Sequence, residues 1–371
     1  HGSKLVYALK TRLPKARFAG MGGTRMQEAG VDTLFGIERM GAVGIVEVLG
    51  DFDHYYKVYR TLMREIASRR YDAVILIDYP TLNLRLAKQG KRFNCPVFYF
   101  ISPQVWAWRK GRIRDIRNAV KKMFVILPFE EKMYLDAGVD AEFLGHPFVD
   151  LVYPSRTREE SREKYSLNSA IKTIGLVPGS RMNEVNSLLD VMIQAAQKIR
   201  SELGSCQFLL PVADSIDPNM LRQRLGTNPL GIQLIEGEPY DVMNSCDMLI
   251  IASGSATLEA GILGCPMVII YKLNPLTYIL AKLLVNAPLV GLVNIVAEEE
   301  VVPELIQGKV TAENICTEVL AVLQAPEKEK AVRERLLKIK STLGDPEVMK
   351  VVAKRIADVM DKLSANEKTP I

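Results

Sequence analysis

Short, uninterrupted apolar runs recur along this chain with helix-period segments between them, and no other feature restricts the fold as much. The first half holds ARFAG, AVILID, PVFYFI, KMFVIL and AEFLG; the second holds TIGLVPGS, QFLLPV, IQLIEG, DMLIIASGS and PMVIIY. A strand with one wet face would alternate apolar and polar residues, whereas continuous runs belong to strands covered on both sides. Stacked βα units with parallel sheets follow. Between the two sets PFVDLVYPSRTREE turns irregular, with Pro147 and Pro154 bracketing a linker. The pattern therefore reads as two similar-sized α/β domains with a cleft between them. A long helix is expected after Gly50. Beyond Pro303 the pattern is helical throughout, closing with the amphipathic segments PEKEKAVRERLLKIKSTL and PEVMKVVAKRIADVMDKL.

At 371 residues the chain exceeds the roughly 250–300 at which a single core stops growing. A formal charge of +5, from 48 basic and 43 acidic residues, is too mild for a dedicated nucleic-acid binder but suits a phosphorylated ligand or an anionic membrane. Cys95, Cys206, Cys246, Cys265 and Cys316 show no CxxC spacing and sit mostly in apolar runs, as reduced thiols of a cytosolic protein do. His1, His54 and His146 are too scattered for a zinc site, and neither a metal nor a cofactor is called for. Between Lys272 and Glu298 the only charge is Lys282, an interval longer than the ~20 residues of a bilayer span. Pro275, Asn286, Pro288 and Asn294 interrupt it, and lipid offers no partner for interrupted backbone. A short helix near residues 275–285 and a buried loop are expected instead. The chain opens directly in a helical pattern, so an opening strand and loop are expected to be missing.

Asp78 ends the run AVILID just before Pro80. Ligands of open α/β sheets bind at the carboxyl ends of strands, so Asp78 could act as a general base or cap the following helix. GLVPGSRMNEV, residues 175–185, reads as a strand, a Gly-Ser turn and a helix, which aims N–H groups and a helix dipole at an anion. Gly179, Ser180 and Arg181 are its candidates, Arg181 adding a forked cation, although such turns are also common without a ligand. LIIASGSATLEAGILGCP repeats the device with Ser253, Gly254, Ser255 and Thr257. Glu259 could accept from ribose hydroxyls or serve its own helix. Two such turns in one domain favour a nucleotide diphosphate. DFD at residues 51–53 opens a helix, where acids suit the dipole, and GMGG at residues 20–23 lacks dinucleotide spacing.

GIVEVLGDFDHYYKVY gathers Val46, Val48, Leu49 and Phe52 with Tyr55 and Tyr56, as core or as an apolar surface for lipid chains. SPQVWAWRKGRI sets Trp106 and Trp108 beside Arg109 and Arg112, after the run PVFYFI. Either the tryptophans pack a ligand whose phosphate the arginines meet, or the first are core and the second a solvated helix face. Nucleic acid fits this modest charge least.

Taken together, GIVEVLG, IDYPTLNLRLAK, SPQVWAWRKGRI, ILPFEEKMY, FLGHPFVD, LVPGSRMNEV, ASGSATLEA and CPMVIIYKLNPLTYILAKLL cover nearly the whole chain. In this order and spacing they resemble the lipid-A-disaccharide synthases, inverting glycosyltransferases of the GT-B fold. The resemblance implies two Rossmann-like domains facing a cleft: residues 1–152 for the acceptor, 153–342 for a UDP-sugar, and 343–371 as a C-terminal helix packed back on the first domain or exchanged in a homodimer. It implies transfer of 2,3-diacylglucosamine from UDP to the 6-hydroxyl of 2,3-diacylglucosamine 1-phosphate with inversion, on the cytoplasmic face of the inner membrane. The products would be the β-1,6 disaccharide 1-phosphate and UDP. One displacement needs one base, which the resemblance makes Asp78. Arg181 and its turn would hold the diphosphate, Ser253 to Thr257 phosphate and Glu259 the ribose, while Asn294 matches a family asparagine on the cleft side. The chain departs from the family at Thr81, where many members carry a second aspartate, and at Glu298 and Glu299, where Gly-Arg is usual. Only His1 and Gly2 remain of an opening GExSGDxHG-like loop. The alternatives are another GT-B UDP-N-acetylglucosamine-type transferase or 2-epimerase, or a non-catalytic nucleotide-sugar binder.

Overall fold

Every strand pairing among the described residues is parallel, as runs apolar on both faces require. The computed structural model describes residues 1–37, 52–106, 111–274, 278 and 289–367. The chain divides into two units, one formed by His1–Pro147 with Leu343–Ile371 and the other by Phe148–Thr342.

In the first unit β1 (Phe18–Met21) pairs with β2 (Val31–Phe35), while β3 (Val74–Ile77), β4 (Val97–Phe100), β5 (Lys122–Val125) and β6 (Ala141–Phe143) form a sheet in that order. Successive side chains of a strand point to opposite faces, and each face finds its own cover. Val97, Tyr99, Met123 and Val125 share a core with Val58 and Ile66 of helix Phe52–Ala67, Leu82 and Leu86 of helix Pro80–Arg92, and Ile116 of helix Arg112–Ala119. Phe98, Phe100 and Phe124 pack instead against Leu5 and Leu9 of helix Gly2–Arg12 and Val352 and Ile356 of helix Val348–Glu367. Full burial of each such side chain is worth about 1.5–3 kcal/mol. The last helix thus crosses back to the first unit, where Arg355 also donates to Glu142 of β6 at 2.7 Å.

The second unit has β7 (Lys172–Val177), β8 (Cys206–Val212), β9 (Gln233–Glu236), β10 (Met248–Ala252), β11 (Met267–Tyr271) and β12 (Glu304–Ile306) in the order β12-β11-β10-β7-β8-β9. From β7 the chain builds outward through β8 and β9, then returns to build β10 to β12 on the other side. The topological switch point lies between β7 and β10, where Val177 stands beside Ile251. Contrary to the helical pattern expected beyond Pro303, the residues directly after it form a three-residue strand, β12, on the sheet edge. Three residues are too few for a period to show. The helix expected near residues 275–285 falls almost wholly outside the described residues. No described helix is long and apolar enough to cross a membrane.

The chain leaves the first unit after Pro147 and re-enters it at Leu343, and the two passages touch. The His146 N–H donates to the Leu343 carbonyl at 2.8 Å. Gly344 adopts φ +89, and a Cβ there would lie 2.8 Å from the Gly145 Cα. Backbone cannot yield as a side chain can. Gly344→Ala should therefore cost about 2 kcal/mol or more of unfolding free energy in a denaturant titration, and Gly231→Ala, at φ +60 with open space around it, distinctly less. Equal losses would show that the crossing is not tight.

Candidate active site

At the end of β3 two consecutive residues other than glycine are left-handed: Asp78 at φ +49 and Tyr79 at φ +41. Each such residue costs about 1–2 kcal/mol. The turn persists because the fold holds it. The Asp78 N–H continues the sheet ladder to the Phe100 carbonyl at 3.0 Å. Its carbonyl accepts from the Tyr99 hydroxyl and from Asn83 Nδ2, both at 2.6 Å. Asn83 Nδ2 also reaches the Ile77 carbonyl at 3.1 Å. Pro80 then opens the helix, with Tyr79, not Asp78, at the N-cap. The Asp78 side chain is therefore not the helix cap. It is exposed on one side, yet loss of hydration on the protein side raises its pKa above the usual aspartate range, against the pull of the Tyr79 N–H.

The loop after β4 is organised from below by Glu130, which is 1% exposed. Its carboxylate accepts from Ser102 Oγ at 2.8 Å, Trp106 Nε1 at 3.1 Å and the Leu127 N–H at 3.3 Å. Trp106 is thus tethered by its indole nitrogen, with its ring edge-on to Phe129 at 5.5 Å between centroids. Arg112 begins helix Arg112–Ala119, and its charge is felt at the Tyr99 hydroxyl. Trp108, Arg109, Val46, Val48 and Leu49 lie outside the described residues, as does the side chain of Phe52.

In the second unit the two Gly-Ser turns follow β7 and β10, side by side at the switch point. Gly179 sits at φ +105, a conformation that strains any side chain, and a Cβ would also crowd the Glu184 side chain, so the position favours glycine. Glu184, in the first turn of helix Met182–Leu203, accepts from the N–H groups of Ser180 at 3.1 Å and Arg181 at 3.3 Å, and pairs with the Arg181 guanidinium at 3.0 Å. Ser215 Oγ donates to the Ser180 carbonyl at 2.6 Å and fixes the turn from the β8 side. At the second turn Ser253 Oγ donates to the Val290 carbonyl at 3.0 Å. Thr257, fully buried, closes its own turn by donating to the Gly254 carbonyl at 2.8 Å. Burial raises the Glu259 carboxyl despite a bond from Ser255. Burial together with the Glu259 charge pushes Tyr240 up to about 12.

Asn294 departs from the expectation of a ligand contact. It is fully buried, and its amide is spent within the chain: Nδ2 donates to the Val302 carbonyl at 2.8 Å and Glu304 at 2.9 Å, while Oδ1 accepts from the N–H groups of Val301 and Val302 at 2.9 and 3.1 Å. Glu304, on β12, also takes the N–H groups of Val290 and Gly291, both at 2.8 Å. Asn294 therefore orders the segment that receives Ser253. Glu299, one of the positions that depart from the family pattern, pairs with Arg335 at 2.9 Å. No cluster able to hold a metal ion occurs among the described residues.

Two parallel α/β units, the second with Rossmann strand order and paired Gly-Ser turns at its switch point, and a final helix returned to the first, are the marks of the GT-B glycosyltransferases. The family model for lipid-A-disaccharide synthetase matches residues 1–355. The lipid-A-disaccharide synthase of Syntrophus aciditrophicus (strain SB) is 43% identical over 347 residues, covering 93% of this chain and 91% of that one. That of Geobacter metallireducens is 41% identical over 362 residues, covering 98% and 94%. The chain belongs to the lipid-A-disaccharide synthase family. Among solved structures, the UDP-GlcNAc 2-epimerase of Neisseria meningitidis bound to UDP-GlcNAc aligns with a TM-score of 0.64 over 96% of each chain at 12% identity, a likeness of fold alone.

Burial pushes the Glu130 carboxyl up to about 7, against the donors from Ser102, Trp106 and Leu127. Between the ordinary glutamate range and about 7 the folded chain binds more protons than the unfolded one, so this group makes stability fall as pH rises through that window. Glu130→Gln cannot ionise. Measured by denaturant unfolding from about pH 5 to about pH 8, its stability relative to the parent should improve by about 2–3 kcal/mol. Parallel curves would place the titration elsewhere.

Proposed function

We propose that the chain transfers 2,3-diacylglucosamine from UDP to the 6-hydroxyl of 2,3-diacylglucosamine 1-phosphate with Asp78 as the single base. The observation that carries this reading is the left-handed Asp78–Tyr79 turn at a strand end: backbone strain kept by buried hydrogen bonds marks a residue whose direction matters. Asp78 takes the proton of the acceptor hydroxyl as its oxygen attacks the anomeric carbon from the face opposite the diphosphate. The anomeric C–O bond breaks and UDP leaves with the electron pair, so the centre inverts. The raised pKa suits a base that must hold a proton while the product forms.

On the donor side, the Ser180 and Arg181 N–H groups and the Arg181 guanidinium would meet the diphosphate. Glu184 already collects these three donors, so the diphosphate must displace one carboxylate. Competition between two anions keeps the turn ordered at little net gain from binding. Ser253, Gly254 and Ser255 would take phosphate through backbone donors, since the Ser253 and Thr257 hydroxyls are engaged elsewhere, and Glu259 would take the ribose. Arg112, at the start of its helix, would meet the acceptor phosphate, with Arg109 three residues before it in sequence.

Peripheral binding to an anionic membrane surface is supported by the outward faces of the helices over one side of the first sheet. Lys57, Arg60 and Arg64 form one exposed stripe at i, i+3 and i+7. Helix Pro80–Arg92 exposes Arg85, Lys91 and Arg92 and has no acidic residue, while its Lys88 is paired with Asp115 of the next helix at 3.0 Å. Helix Arg112–Ala119 adds Arg114 and Arg117. Near an anionic bilayer each such charge contributes about 1 kcal/mol. A C-terminally exchanged homodimer would reuse between protomers the contacts that helix Val348–Glu367 makes within one chain.

Incubation with both acylated sugars should release UDP, and omission of either should abolish release. Asp78→Asn should lower kcat by about 10²–10⁴-fold with UDP affinity retained; normal turnover would remove Asp78 as base. In sedimentation with vesicles containing phosphatidylglycerol, the triple change Lys57→Gln, Arg60→Gln and Arg64→Gln should weaken binding by about tenfold or more. Unchanged binding would exclude this face.

A further inference from the structure

We infer that Tyr99 and Asn83 are positioning residues that aim the Asp78 carboxylate by holding its peptide. The inference rests on the reading of Asp78 as the base, and the two fail separately.

Glycine would occupy the left-handed region without cost, yet Asp78 and Tyr79 occupy it together. A carboxylate set on such a turn points where it does only while the peptide between the two residues keeps its orientation. Two donors converge on that peptide. Tyr99 rises from β4 with its ring fully buried, and phenylalanine would serve the same packing. What the hydroxyl adds is its 2.6 Å bond to the Asp78 carbonyl. Asn83 comes from the first turn of the next helix, 8% exposed, and Nδ2 is shared between the carbonyls of Ile77 and Asp78. Both side chains address one turn, from the neighbouring strand and from the following helix. Their hydrogen bonds are made to the Asp78 carbonyl rather than to its carboxylate, so their influence on the turn passes through the backbone. The loss of either donor lets the turn relax toward extended or right-handed conformations, which swing the carboxylate away from the acceptor hydroxyl.

The test compares Tyr99→Phe, Asn83→Leu and Asp78→Asn in the full chain, with folded fraction followed by circular dichroism. Each positioning variant should lower kcat by about tenfold or more, since small misplacements of a reacting group are costly, while KM for both sugars stays within about twofold. A structural role alone would lower folded fraction and leave turnover per folded molecule unchanged, and that result overturns the inference. The decisive arm is a double-mutant cycle. In a Tyr79→Gly background, where the left-handed turn needs less support, Tyr99→Phe should cost less than about twofold. If it costs as much as in the parent chain, the hydroxyl does not act through the turn and the inference is wrong. Full activity of Asp78→Asn would remove the base reading itself. An inactive Asp78→Asn beside normal Tyr99→Phe and Asn83→Leu would remove only the positioning role.

Discussion

Val97 and Tyr99 face one side of the first sheet, Phe98 and Phe100 the other, and all four are at most 1% exposed. Two-sided burial of this kind is the interaction on which the rest of the first unit depends. It obliges the chain to supply helices on both faces, and the crossover helices of successive βα units supply only one. The second cover comes from the two ends of the sequence, Gly2–Arg12 and Val348–Glu367. Once both faces are closed the strands are rigid, and only then can the turns at their carboxyl ends be held away from their local energy minima.

Loops in both units share one device, a carboxylate or amide spent on neighbouring groups within the chain. Glu130 gathers the loop after β4, Glu184 the turn after β7, and Glu304 with Asn294 the segment beneath Ser253. Each group satisfies donors that burial or a helix start would leave unmet. The result is a set of loops ordered from behind, with the Asp78 carboxyl and the Arg181 guanidinium left on the exposed side.

Much of this architecture is legible in the sequence because it repeats. Runs such as AVILID and DMLIIASGS announce doubly covered strands wherever they occur, and a residue at the end of one, such as Asp78, is marked by position alone. Strands β2 and β12 are not legible in the same way, since VDTLF carries polar residues and Glu304–Ile306 is too short to show a period. The supporting residues are less legible still. Glu130 sits 28 residues from Ser102, and Tyr99 sits 21 from Asp78; nothing local to either says what it will meet. Asn294 shows the opposite hazard: a polar residue in a matching motif reads as a ligand contact until its buried amide is seen to be fully spent.

The return of helix Val348–Glu367 to the first unit also sets the order in which the protein can be completed on the ribosome. Phe98, Phe100 and Phe124 are translated long before Val352 and Ile356, and the whole of Phe148–Thr342 comes between. At ordinary synthesis rates that interval lasts roughly 10–40 s. One face of the first sheet therefore stays partly uncovered until helix Val348–Glu367 has been made. The nascent chain must carry that phenylalanine surface while the whole of the second unit is made, with only helix Gly2–Arg12 to cover it.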